Sequence, residues 1–304
     1  MKVLNFGSLN LDFVYAVDHI VLPGETILSS RLDVFPGGKG LNQAVGLARA
    51  GAAVDMAGSI GPDGAMLRDV CRDNNIGDTH LRRVDERTGN AIIQVAATGQ
   101  NSIVLFGGAN RKNDTAFIDT VLSHYAEGDM LVMQNEINLA GYLIDQAHRK
   151  GMTIALNPSP FNEDMAQCDL SKVSIFLINE VEGCQITGQP DPDAILANMR
   201  IRFPEARVVL TLGGDGAIYQ DKTTTVRESA RSVSVVDTTA AGDTFAGYFL
   251  TAFAEGLPPA HALALACDAA AIAVSRSGAS VSIPRRDEVE CFRPTRRRRA
   301  SARQ

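Results

Sequence analysis

The chain contains no tryptophan, and aromatic residues make up only 6% of its 304 positions. A planar ligand therefore cannot stack on an indole here. Five cysteines (Cys71, Cys168, Cys184, Cys267 and Cys291) are scattered, with no C-x-x-C pair. That excludes a zinc ribbon and predicts free thiols in a reducing compartment, hence a cytoplasmic protein. The five histidines show no ligand spacing either. No run of 18 apolar residues occurs, so neither a membrane span nor a membrane partner is expected. Met1-Lys2 leads directly into the strand-like VLNFG, so no signal peptide is expected. Basic charge is scarce in most of the chain. The net charge is −6, yet the last twelve residues carry six arginines and no acid, which leaves −12 on the first 292. An acidic body of that kind argues against nucleic acid as a partner.

What is present is an ordinary globular composition, 45% hydrophobic and 21% charged, long enough for a full α/β core. Short apolar runs (2–6, 54–59, 130–134, 153–157, 175–178, 208–212 and 232–236) alternate with helix-like segments such as 40–50, 64–74 and 138–150. This rhythm predicts a mainly parallel central sheet flanked by helices on both faces. Residues 12–34 and 88–106 break it, alternating apolar and polar with period two and containing no helix. They predict a small β-sheet protruding from the main domain as a lid over Gly37-Gly38-Lys39-Gly40. The domain is expected to span 1–292. The tail 293–304 has no apolar periodicity and is expected to be disordered.

The stretch VVDTTAAGDTF (235–245) is the most informative. A strand-like segment runs into a turn of very small residues, then into an apolar-faced helix. Small residues let backbone N–H groups face outward at a helix N-terminus, which suits an anion. Asp243, itself an anion, is oddly placed there unless it takes a proton from a hydroxyl. An anion cradle formed by Ala240, Ala241, Gly242 and Asp243 beside a carboxylate base suggests phosphoryl transfer to an alcohol. An isolated GDT would be only a helix cap.

Other motifs carry complementary chemistry. Pro36-Gly37-Gly38-Lys39-Gly40-Leu41-Asn42 is not a Walker loop, because Lys39 is followed by glycine and Asp33 stands where a glycine is required. Its glycines admit a small polar ligand, and Lys39 and Asn42 offer donors and acceptors to a polyhydroxylated molecule. Asn10 and Asp12 lie just past the first strand, where open α/β sheets bind ligands. Asp12 can accept two hydroxyl hydrogen bonds, which suits a vicinal diol. Glu136, Asn179 and Glu182 also follow strands. Taken alone they read equally well as helix-start residues, the latter two as a capping box. Thr211-Leu212-Gly213-Gly214-Asp215-Gly216, taken alone, is a tight turn into the hairpin AIYQD.

Together the GGKG and AAGD elements resemble the two signatures of the ribokinase-like (PfkB) sugar kinases, in order and properly separated. The resemblance covers residues 2 to 284. It implies ATP-dependent phosphorylation of a pentose, with Asp243 as base and the amides of residues 240–243 as anion hole. Asn10, Asp12, Gly38, Lys39, Gly40, Asn42 and Glu136 would hold the sugar. The Asn-x-Asp pattern at 10–12 leans toward a pentose, with D-ribose as the expected substrate. Asn179, Thr211, Leu212, Gly213, Gly214, Asp215, Gly216 and Gly242 would face the nucleotide, and Glu182 would act through water on Mg²⁺. Asp237, Thr239, Ala273, Arg276, Gly278 and Ser282 match positions around an activating K⁺. The family also implies a homodimer paired through the lids. Cys267 departs from the pattern, standing where a polar contact to the base is usual. A nucleoside kinase on the same fold, its base slot lined by Phe13, Ile92 and Val95, is the alternative; a sugar sensor without turnover is the rival of another class.

Overall fold

The computed structural model describes residues 1–292 and, beyond them, the backbone of Thr295 and Arg296. In chain order the strands are β1 (Val3–Phe6), β2 (Asn10–Val17), β3 (Arg31–Gly37), β4 (Val54–Ile60), β5 (Gly77–Arg83), β6 (Gly89–Ala96) and β7 (Asn101–Phe106). They continue with β8 (Met130–Gln134), β9 (Thr153–Asn157), β10 (Ile175–Asn179), β11 (Arg207–Thr211), β12 (Ala217–Gln220), β13 (Thr225–Glu228), β14 (Arg231–Ser232) and β15 (Thr295–Arg296). The helices are α1 (Lys39–Ala50), α2 (Ala65–Asp73), α3 (Thr115–Leu122), α4 (Ala140–Arg149), α5 (Glu163–Ala166), α6 (Glu180–Thr187), α7 (Pro192–Arg202), α8 (Ala241–Ala254), α9 (Pro259–Val274) and α10 (Arg286–Cys291).

Nine strands form one sheet in the order β13-β12-β11-β10-β9-β8-β1-β4-β5, parallel except for the two antiparallel strands β12 and β13. Strand alternation divides its apolar residues between two cores. Val3, Met130, Val132, Ile175 and Leu177 face one core, which α1, α2, α8 and α9 cover. Leu4, Phe6, Leu131, Met133, Phe176 and Ile178 face the other, covered by α3, α4, α6 and α7. The expected sandwich of helices around a mainly parallel sheet is what forms. The two segments expected to make a lid form a second small sheet, four-stranded and ordered β3-β2-β6-β7.

One expected strand does not form. The apolar run 232–236 predicts a buried strand, but only Arg231–Ser232 pairs, and Val235 and Val236 are each 63% exposed. The main sheet already ends at β13. The segment is instead fastened to the end of α9, where Val236 N and Asp237 N donate to the Val274 carbonyl (2.8 and 3.2 Å). The valines had signalled local propensity, which tertiary context overrode. The tail lies outside the described residues, except that Thr295–Arg296 pairs antiparallel with β14.

Candidate active site

The ends of the parallel strands bring the site together. Ser8 and Asn10 follow β1, Glu136 follows β8, Ser159 follows β9, Asn179 ends β10 and Thr211 ends β11. Ligand sites of open α/β sheets belong at these carboxyl ends. A cleft of 240 Å³ opens there, lined by Lys39, Asn157, Ser159, Asn179, Glu182, Thr211, Thr238, Ala240, Ala241, Gly242, Asp243 and Phe245. Of these, Asn157, Ser159, Thr238 and Phe245 carried no signal in the sequence beyond their place near strand or helix ends.

Helix α8 starts at the mouth of this cleft. Ala240 precedes it in the left-handed region (φ 59°), a conformation costing a non-glycine residue roughly 1–2 kcal/mol. Ala241 N is taken by the Thr238 carbonyl (3.2 Å), while the amides of Ala240, Gly242 and Asp243 find no acceptor among the described residues. All of these residues line the cleft, and a Cβ on Gly242 would meet nothing within 4 Å. Three unpaired amides with the positive end of a helix dipole make an anion cradle.

Asp243 is 6% exposed. Its Oδ2 accepts from Asn42 Nδ2 (3.2 Å) and its Oδ1 from Gln43 Nε2 (3.0 Å). Both partners come from the first turn of α1, whose start is fixed by two glycines. Gly38 sits at φ 92°, and a Cβ on Gly40 would lie 2.4 Å from Ser8 N, so α1 can press against the end of β1. Ser8, which sequence reasoning missed, donates to Glu136 Oε2, and that oxygen also accepts from Lys39 N (3.1 Å).

Several polar groups around Asp243 lack partners among the described residues. Asn42 Oδ1 is buried with none. The Lys39 ammonium makes no hydrogen bond or ion pair; Asp243 foremost, with Glu136 and Glu182, raises its pKa and keeps it charged. Asp12 accepts no hydrogen bond, and burial, aided by Glu136, pushes its carboxyl up to about 7. Burial likewise raises Glu136, against the lowering effects of Ser8 and Lys39. A molecule rich in hydroxyls supplies the donors and acceptors this set lacks. Asn10 lies beside it with Oδ1 occupied by Asn110 Nδ2 (2.8 Å), so its own amide N–H₂ is left to donate. Asn110 was another residue the sequence did not single out.

The remaining expectations separate. Asn179 and Glu182 do line the cleft and also form a full capping box, the two readings proving compatible. Of the 211–216 loop only Thr211 lines this cleft; Gly213, Gly214 and Asp215 form an exposed turn at its side. Asp237 lies outside the cleft and joins two loops, its Oδ1 accepting from Thr239 N and Oγ1 and its Oδ2 from Gly278 N (2.9 Å). Arg276 turns its guanidinium to Glu288, and Ser282 Oγ donates to the Ala279 carbonyl (2.8 Å). Cys267 does not line the cleft; its thiol is packed into α9 and pushed up to about 12 by burial. The apolar slot of Phe13, Ile92 and Val95 does not assemble. Phe13 pairs with Ile92 on one face of the lid, whereas Val95, three residues on, projects from the opposite face with Asp12.

Comparison with known proteins bears on this geometry. The model of the pfkB family carbohydrate kinases matches residues 1–286. The ribokinase of Haemophilus influenzae is 36% identical, covering 93% of this chain and 95% of its own. Among solved structures, the ribokinase of Cryptococcus neoformans in complex with ADP superposes with a TM-score of 0.83 at 32% identity, covering 95% of this chain and 98% of its own. That of Arabidopsis thaliana complexed with ribose and ATP gives 0.83 at 26% identity, covering 95% and 97%.

Proposed function

The chain belongs to the pfkB family of carbohydrate kinases, and from that premise we propose that it transfers the γ-phosphoryl group of ATP to the primary hydroxyl of D-ribose, giving D-ribose 5-phosphate. The observation that carries this reading is Asp243, buried beside Asn42, whose Oδ1 has no partner, and beside the amides of Ala240 and Gly242, which like its own find no acceptor among the described residues. Asp12, Asn10 and Asn42 hold the hydroxyls, with Gly38 and Gly40 letting α1 close on the end of β1 so that these side chains converge, and Glu136 holding Ser8 and Lys39 in place. Asp243 takes the proton of the hydroxyl. The freed oxygen bonds to the γ-phosphorus, the bond from that phosphorus to the β–γ bridging oxygen breaks, and ADP leaves. The amides of Ala240, Gly242 and Asp243 and the ammonium of Lys39 stabilise the charge on the phosphoryl oxygens as it develops. Asn179 and Thr211 contact the nucleotide, with the 212–216 turn at its edge.

Among the described residues no group of three or more His, Cys, Asp or Glu side chains could hold a metal alone. That agrees with Mg²⁺ carried by the nucleotide phosphates and water, for which a single carboxylate, Glu182, suffices. Bound there, Mg²⁺ neutralises phosphate charge. The carbonyls of Thr239, Arg276 and Gly278 accept no hydrogen bond among the described residues, and Asp237 draws their loops together. With Ala273 and Ser282 these groups suit K⁺, a large ion content with carbonyl oxygens. The five free cysteines fit a cytoplasmic enzyme.

The lid carries Leu32, Phe35, Ile92, Ile103, Val104, Leu105 and Phe106 between 37% and 63% exposed, with β3 and β7 as open edges. Such a sheet needs covering. A second copy of the lid supplies it, making the enzyme a homodimer. The function is tested by measuring kcat/KM for D-ribose, 2-deoxyribose, hexoses, sugar acids and nucleosides with coupled detection of ADP. D-Ribose is expected to lead. A nucleoside or hexose ahead by tenfold or more removes the pentose and leaves the kinase.

A further inference from the structure

The mainly parallel sheet buries two polar side chains on the face that α1 and α8 cover. Asn5 continues the face of Val3, and Gln134 that of Met130 and Val132; both are 0% exposed. With Gln43, also 0% exposed, they form an unbroken chain of primary amides ending on the reacting carboxylate. Asn5 Nδ2 donates to the Gly40 carbonyl (2.7 Å), Gln134 Nε2 to Asn5 Oδ1 (3.1 Å) and to Gln43 Oε1 (2.7 Å), and Gln43 Nε2 to Asp243 Oδ1 (3.0 Å).

The direction of this chain is forced from both ends. A carboxylate can only accept, so Gln43 must turn its N–H₂ to Asp243 and its oxygen to Gln134. The Gly40 carbonyl can only accept, so Asn5 must turn its N–H₂ there and its oxygen to Gln134 as well. Gln134 has to donate twice, and no amide in the chain can flip without setting oxygen against oxygen. Gln134 Oε1 is consequently left buried without a partner among the described residues. It fits only because Gly7 has no side chain, since a Cβ there would lie 2.1 Å from that oxygen. A buried acceptor left unpaired, and a glycine making room for it, are features that packing alone disfavours.

We propose that Gln43 is a positioning residue for phosphoryl transfer, and that the Asn5–Gln134–Gln43 relay fixes the Asp243 carboxylate through Oδ1 so that Oδ2, held only by the Asn42 amide, turns its remaining lone pair to the hydroxyl proton. The proposal rests on the reading of Asp243 as the base. Holding the base from the sheet matters because α1 and α8 approach the substrate from different parts of the chain. A displacement of about 1 Å can cost about 10²-fold in rate.

The test compares full-length Gln43→Met and Gln134→Met, which keep side-chain length and remove the amide, with Asp243→Asn and with Gln43→Met/Asp243→Asn. Melting curves and ATP binding check that each variant is folded. Gln43→Met is expected to lower kcat by about ten- to hundredfold, with KM for ribose within about threefold. Gln134→Met should fall between it and the parent, because Gln43 then keeps its bond to Asp243 but loses its anchor. The double variant should be no slower than Asp243→Asn alone, since the relay has no base left to position. The proposal is overturned if the folded Met variants stay within about threefold of the parent in kcat. It is equally overturned if their loss lies in KM, or if it multiplies the loss from Asp243→Asn. Should Gln43→Met not fold, Gln134→Met decides by the same criteria. Should Asp243→Asn itself retain kcat, the base assignment falls instead, whatever the relay variants do.

Discussion

The two sides of the proposed site are built on opposite plans. On the proposed acceptor side the groups are side chains held in the interior: Asn10, Asn42 and Asp243 are each 6% exposed and Gln43 is fully buried. On the proposed donor side they are backbone groups of small residues, such as Ala240 and Gly242. Each plan follows from its ligand. Sugars differ only in where their hydroxyls point, so selecting one needs fixed donors and acceptors whose unpairing is costly. Phosphates look alike from every side, and bare N–H groups at a helix mouth suffice.

The sharpest way to break this contrast is to change the one residue that belongs to both sides. Asp243→Asn keeps shape and burial but cannot take a proton. It should lower kcat by about 10²–10⁴-fold, the usual range for a general base, with sugar and ATP binding within a few-fold. Steady-state kinetics with isothermal titration of both ligands checks this; retention of more than about a tenth of kcat would remove Asp243 from the role.

On the acceptor side alone, Asp12→Ala should raise KM for ribose by about tenfold or more while leaving ATP affinity near the parent value. It should also narrow the preference for ribose over 2-deoxyribose, because the pocket no longer leaves a carboxylate unpaired when a hydroxyl is missing. Comparing kcat/KM for the two sugars in both proteins measures it. An equal loss for both sugars would show that Asp12 does not read the diol.

The same carboxyl gives the site a pH dependence. Its pKa is raised from 3.8 to about 7 in the folded protein, so between those values the native state holds a proton that the unfolded chain has lost. Asp12 thus contributes stability that is present below about 3.8 and is lost as pH rises through about 7. Sugar binding runs the other way, because the ionised form accepts a hydroxyl on each oxygen, whereas protonation turns one of them into a donor. KM for ribose should fall by up to about tenfold from pH 6 to 8, and the ligand-free melting temperature should drop over pH 4–7. Asp12→Asn should flatten both curves; a variant with the parent's pH profile would place the titrating group elsewhere.

The sequence discloses these two plans unequally, for physical reasons. Backbone cradles demand small residues, so AAGD and GGKG stand out in a chain of otherwise varied side chains. The main sheet is legible from apolar runs bounded by turns, and the lid from its period of two. The amide relay is not. Gln43 and Gln134 are unremarked neighbours of motif residues, and only the fold brings them together across more than ninety positions. Asn5 alone left a trace, a polar residue inside the buried strand VLNF. Parity along β6 already forbade Ile92 and Val95 from sharing a slot, since three positions in a strand reverse the face. Residues 233–236 misled because valine favours strands wherever a neighbour offers a ladder, and here none did.

The smallest expected effect belongs to the donor side, where loops rather than side chains do the holding. Asp237 fastens residues 237–239 to Gly278, next to the turn that carries Ala240. Burial would raise this carboxyl, but Thr239 and Gly278 donate to it and hold it below the usual range, so it stays charged at neutral pH. A monovalent cation bridging the same loops through their carbonyls would steady the anion cradle without touching substrate. A rigid cage of several carbonyls favours the larger ion, so replacing Na⁺ by K⁺ at fixed ionic strength and saturating Mg²⁺ should raise kcat several-fold while changing KM for ribose little. Asp237→Asn, which keeps the shape but halves the acceptors, should blunt the response. Equal rates in both salts would leave these loops tied by Asp237 alone, and a K⁺ effect confined to the KM for ribose would put the cation on the acceptor side instead.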